Sequence, residues 1–195
     1  MEKEEASQTL RSYERNIMLH KVSSDGLCGI IHDLPLILAD NPDLKQETFR
    51  VWEKVAEYRK NSRYSLEDTY SSLKDVILKD KNNVPQAVSV FTKALASDEN
   101  DYEALCLAHE TLSVVAQSNF SFAGKAAQAF NKALDRYEES ITPKTPLKKF
   151  FQQLNDIGGE VDFKKRNIQI MREDVKKLLP KSNPIVATQN YGHEK

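Results

Sequence analysis

Six glycines in 195 residues are too few for a fold built on many tight turns, so the scarcity excludes most β-rich architectures and favours long helices. Cysteine is nearly absent as well. Cys28 and Cys106 cannot build the dense disulfide framework of a small secreted domain, which points to free thiols in a reducing, cytoplasmic setting. No apolar run is long: the stretch from Leu34 to Ala39 is interrupted by Pro35 and falls far short of the ~20 residues that span a bilayer, so no transmembrane segment is expected. The first residues, MEKEEASQTL, are charged and polar where a secretory leader is apolar. Neither charge sign dominates, since 28 Lys+Arg stand against 29 Asp+Glu. A chain that is basic or acidic throughout, as many nucleic-acid binders and acidic tails are, is thereby excluded.

What is present is helical periodicity. Ala6, Leu10, Tyr13 and Ile17 recur at spacings of four and three and so share one helix face. Ser24-Asp25-Gly26 reads as turn chemistry before a short apolar helix that Pro35 should distort. Asn41-Pro42 reads as a cap followed by a first-turn proline, opening a helix to about Lys60 that buries Leu44, Val51, Val55 and Tyr58, with Phe49, Trp52 and Ala56 as a second stripe. Ser65 and Asp68 read as a capping-box variant before Leu66, Tyr70, Leu73 and Ile77. Pro85 opens a helix bearing Ala87, Val88, Phe91, Ala94 and Leu95; others are expected over 102–117, 123–140, from Thr145-Pro146 to Gly158, and over 162–179.

Two of these segments resemble each other. AVSVFTKAL from Ala87 and AAQAFNKAL from Ala126 share five of nine residues at an offset of 39. Alanines four before and three after a phenylalanine let two helices approach closely while the ring fills the groove between them. The pattern resembles the second helix of a tetratricopeptide repeat, with Ala87, Phe91, Ala94 and Leu95, then Ala126, Phe130, Ala133 and Leu134, at the family's small-aromatic-small-apolar positions. Leu105, Ala108 and Leu112 match its first helix, as do Tyr70, Leu73 and Ile77 with one residue inserted. The resemblance covers about residues 66–140 and implies stacked helix hairpins that bind a peptide or helix, with Phe91, Lys93, Phe130 and Lys132 near the contact surface.

Asp25-Gly26-Leu27-Cys28-Gly29 places a thiol where the chain enters a helix, a position whose dipole favours thiolate. The string resembles the nucleophile region of ovarian-tumour-type deubiquitinases and papain-like proteases. That resemblance implies Cys28 as nucleophile, Asp25 and Gly26 as its positioning neighbours, and a histidine brought from a downstream sheet, for which the sequence offers His109 or His193. A partly buried structural cysteine is the competing reading. Cys28 with His32, and Cys106 with His109, also offer ligand pairs four and three apart that together could make a tetrahedral zinc set.

Charge is divided unevenly. From Thr142 onward 11 Lys+Arg face 6 Asp+Glu, a net +5, whereas the preceding residues carry a net −6. Lys148, Lys149, Lys164, Lys165, Arg166, Arg172, Lys176 and Lys177 could bind an acidic protein, a membrane surface or nucleic acid, or dock against the acidic part of the same chain.

These observations predict an all-α domain of seven to nine helices over residues 1–180, with N-terminal helices over 2–64, repeat-like hairpins over 65–141, a basic helical end over 142–180 and a flexible tail over 181–195. The expected role is a non-catalytic protein-interaction module needing no cofactor. A cysteine hydrolase using Cys28 and binding to an anionic surface are the alternatives, and the oligomeric state stays open.

Overall fold

The computed structural model describes residues 1–58, 63–142 and 159–179. Among them are eight α-helices and no strand, and 87% of these residues are helical. The helices are α1 (Lys3–Met18), α2 (Ser24–Asp40), α3 (Lys45–Ala56), α4 (Arg63–Lys79), α5 (Val84–Leu95), α6 (Tyr102–Ser118), α7 (Phe120–Ile141) and α8 (Glu160–Leu178). Single 3-10 turns, Pro42–Leu44 and Lys81–Asn83, lead into α3 and α5. The helix expected from Thr145 to Gly158 and the tail over 181–195 lie outside the described residues.

Two layers account for the packing. Helices α2, α4 and α6 lie side by side in one, and α1, α3, α5 and α7 in the other, while α2–α3, α4–α5 and α6–α7 close the layers pairwise. Helix α8 lies against α7 and α6 at one end. Local chemistry sets the boundaries. The Ser23 hydroxyl accepts a hydrogen bond from the Gly26 N–H at 3.2 Å, and Asp101 accepts one from Ala104 N–H at 3.0 Å, so each side chain satisfies a donor that the first helical turn leaves open.

The helix starts expose a repeat longer than the nine-residue match suggests. Helices α2, α4 and α6 begin at residues 24, 63 and 102, which are 39 apart, and α3 and α5 begin at 45 and 84. Superposing by that interval aligns Leu27, Leu66 and Leu105, then Leu34, Leu73 and Leu112, then Trp52, Phe91 and Phe130, all at most 0% exposed. A small residue stands at Gly26, Ser65 and Ala104; a Cβ added at Gly26 would meet Val22 Cγ1 at 3.0 Å. Helix α1 keeps the same register, with Leu10, Tyr13 and Ile17 standing 39 residues before Phe49, Trp52 and Ala56. Three helix pairs preceded by one single helix are thus present, and the hairpin stack reaches back to Ser24 rather than starting at Ser65.

Several expectations need correction in consequence. Asp25 and Gly26 belong to the first turn of α2, and the helix runs through Pro35, because Leu34, Ile37 and Leu38 on either side of it are buried and hold the chain helical although Pro35 donates no bond to the Ile31 carbonyl. Ser65 is no cap: it lies buried in the second half-turn of α4, at the small-residue position. Helix α3 stops at Ala56, not near Lys60, and Asn41 makes no side-chain cap bond to it. No residue insertion is needed to align α4 with α6, since Tyr70 and His109 are equivalent.

Candidate functional site

The contact residues expected from the repeat separate into buried and exposed ones. Phe91 and Phe130 are fully buried, so they are not partner contacts; each ring fills the space between helices, Phe91 edge-on to Tyr70 at 5.6 Å and Phe130 stacked on His109 at 5.8 Å. Their lysine neighbours two residues on do reach the surface. Lys93 spans from α5 to α3, where Glu53 and Glu57 each accept at 2.8 Å. Burial alone would lower its pKa, but those hydrogen bonds outweigh it and hold the ammonium above the usual lysine value. Lys93 lines a surface hollow of about 470 Å³ with Ala56, Glu57, Tyr58 and the turn from Ala96 to Glu99. Lys132, in the same register on α7, is exposed.

A second hollow, of about 230 Å³, lies between the C-terminal ends of α2 and α4. Pro35, Leu38, Ala39 and Val76 give it apolar walls, and Lys45, Lys79 and Asp80 supply charge at its rim. Leu36 and Leu78, on the same helix ends, are more than half exposed. Nothing in the sequence marked this place, because the apolar residues of α2 read as a single core stripe.

Among the described residues most cations of the basic end are paired within the molecule. Arg172 binds Asp135 at 2.7 Å and Glu138 at 2.9 Å on α7, Lys164 binds Glu160 at 2.6 Å and lies over the Tyr102 ring, Lys176 binds Glu173 at 2.7 Å and Lys177 binds Asp174 at 2.9 Å. Arg166 donates to the Asp162 carbonyl at 3.3 Å, and Lys165 is partly covered. Docking against the acidic part of the chain is therefore what α8 does with Arg172. Lys148 and Lys149 lie outside the described residues.

The cysteine chemistry runs opposite to a nucleophile's needs. Cys28 is the fifth residue of α2, and its pKa is pushed up to about 11, by burial first and then by its hydrogen bond to the Asp68 carboxylate. A protonated thiol results at neutral pH, where nucleophilic attack requires thiolate. The same carboxylate lies 3.6 Å from His32 Nε2. His109 is distant from both on α6, its Nε2 buried without a partner, and His193 lies outside the described residues. Cys28 and His32 sit on α2 and Cys106 and His109 on α6, with α4 between those helices. Among the described residues no group of three or more His, Cys, Asp or Glu side chains is placed to hold a metal ion. No described helix is long and apolar enough to cross a membrane.

One polar centre went unread in the sequence. Asn100, buried within what looks like an acidic separator, accepts from Tyr70 O–H at 2.6 Å and donates to the Ala94 and Ser97 carbonyls at 2.9 and 2.8 Å. Arg136 joins it by donating to the Leu95 carbonyl. These bonds close the C-terminal end of α5 and tie it to α4 and α7. The sequence signal was the one amide among the carboxylates of 98–101.

No known family's sequence model matches the chain, and neither the curated proteins nor the solved structures contain a match to it.

Proposed function

We propose that this protein is a non-catalytic interaction module, a short stack of tetratricopeptide-like helix pairs that presents its helical surface to a peptide or helix of another protein. The observation that carries the reading is the hollow between α2 and α4, apolar in its walls and charged at its rim. The 39-residue recurrence supports it, because stacked helix pairs leave continuous outward surfaces of the kind that repeat proteins use for binding. A volume of about 230 Å³ has room for an apolar side chain of a partner, with Lys79 and Asp80 fixing its orientation.

The test is cross-linking coupled to mass spectrometry on complexes captured with the full chain, followed by substitution. Cross-links concentrated at Lys45 and Lys79, lost together with capture in Leu38→Asp or Ala39→Arg chains of unchanged helicity, are the expected result. Ala39 lines the hollow and is exposed, so its variant tests the site even where Leu38→Asp perturbs folding. Capture that survives Ala39→Arg, or cross-links that avoid Lys45 and Lys79, would overturn the assignment.

A further inference from the structure

Within the stack, α3 and α5 each reach back to the second-layer helix before them through polar side chains on the facing flank. Glu47 of α3 takes a hydrogen bond from Ser7 of α1 at 3.3 Å, and Arg50 binds Glu14 at 3.1 Å. One interval later, Ser89 and Lys93 of α5 both bind Glu53 of α3, at 2.5 and 2.8 Å. On α1 the equivalent positions are Gln8, Arg11 and Arg15. No described helix packs on that flank. Arg11 and Arg15 are exposed there, beside Met18 at 65% and Leu19 at 51% exposure, and together with Glu14 these four line a hollow of about 320 Å³. The flank therefore carries the contact positions of an interior helix without the helix they would contact.

We propose that this flank of α1 is a self-association surface, which receives α1 of a second copy running antiparallel about a two-fold axis. The reason for choosing a second copy is the charge order along the flank. Glu4, Gln8, Arg11, Arg15 and Met18 recur at alternating spacings of four and three, and all are exposed. Reversing one helix against its copy sets Glu4 opposite Arg15, Gln8 opposite Arg11, and Met1 opposite Met18. Each pairing occurs twice, as a two-fold interface requires. A parallel arrangement would set Arg15 against Arg15. Glu14, which the reversal would bring near Glu5, is already turned toward α3 by Arg50. The carboxylate that Lys93 finds on α3 within the chain is what Arg15 finds, as Glu4, on the second copy.

Sedimentation velocity and light scattering on the full chain, over about 1 to 200 µM, read the association directly. The expected result is a reversible monomer–dimer equilibrium that weakens in 1 M salt, where screening acts beyond ~3 Å. Arg15→Glu and Glu4→Arg, each alone, should weaken the dimer by roughly ten-fold or more, because each sets like charges opposite one another. Mixing those two variant chains should restore a dimer, now mixed, since each supplies what the other lacks. Both positions are exposed, and circular dichroism checks that the helices persist. A chain that stays monomeric at 200 µM overturns the proposal, as does a dimer indifferent to Arg15→Glu or a mixture that fails to associate.

Discussion

The two ends of the stack are finished differently. At the end formed by α6 and α7, helix α8 buries Ile168, Met171 and Val175 and pins itself with Arg172 on Asp135 and Glu138 and with Asn167 donating to Tyr102 Oη at 2.6 Å. At the other end, α1 buries Ala6, Leu10 and Ile17 against its neighbours and leaves Met18 and Leu19 to solvent. An array whose units share one pattern ends in an interior-type surface unless a different element covers it, so a terminal helix reveals whether that surface is shut or left to accept something. Helix α8 shuts one. Its register departs from the 39-residue interval and its outward face is polar apart from Phe163 and Ile170, whereas α1 keeps the interval and with it the outward cations of an interior helix.

The largest effect that can break this comparison comes from the aromatic wedge. Phe130 and Tyr13 occupy the same register position at opposite ends, yet Phe130 is fully buried while Tyr13 is partly covered and spends its hydroxyl on Asp33. Phe130→Ala should cost about 3–5 kcal/mol and Tyr13→Ala no more than about 2 kcal/mol in denaturant unfolding. Equal losses would show that the two ends are packed alike.

A smaller contrast sharpens the account of the cap. Ile168 is 1% exposed beneath α8, and its change to alanine should cost about 2–3 kcal/mol, with hydrogen-exchange protection of α8 falling more than that of α4. Met18→Ala at the open end should change stability by no more than about 0.5 kcal/mol. A cap that keeps its protection in the Ile168 variant would mean that the ion pairs to α7, rather than apolar packing, hold it.

Periodicity alone marks most of these helices, because burial of a stripe is what makes a helix form, and Leu66, Tyr70, Leu73 and Ile77 or Val84 to Leu95 announce that stripe directly. Ends and pairings were harder to read. The first helix pair kept only Leu27, Leu34, an aromatic residue and Lys54 from the shared pattern, and Pro35 argued for a break that tertiary packing overrides. Phe91 and Phe130 illustrate the main error at the site: a residue that recurs for packing looks, in one dimension, the same as one that recurs for binding. The hollow between α2 and α4 was illegible for the same reason, since its walls come from two helices 39 residues apart and neither alone carries a signal.

The smallest effect concerns the proton. His109 sits on α6 under the cap, stacked on Phe130, and burial lowers its pKa below the usual histidine value against a weaker upward pull from Asp174 of α8 and Glu110 of its own helix. Glu110 is shared with Lys74 of α4 at 2.7 Å, and Asp174 with Lys177, which limits that pull. A folded-state value below the unfolded one means that the unfolded chain takes up the proton first as pH falls. Stability is therefore complete above about pH 6.5 and declines as pH drops through that value, by a fraction of a kcal/mol because the ring is only half buried and solvent screens it. His109→Phe should flatten the slope between about pH 7 and 5, and Asp174→Asn should steepen it by removing a carboxylate that favours the protonated ring. Stability that rises on acidification over this range would mean instead that Asp174 outweighs burial, making protonation of His109 a clasp between α6 and the cap rather than a strain on it.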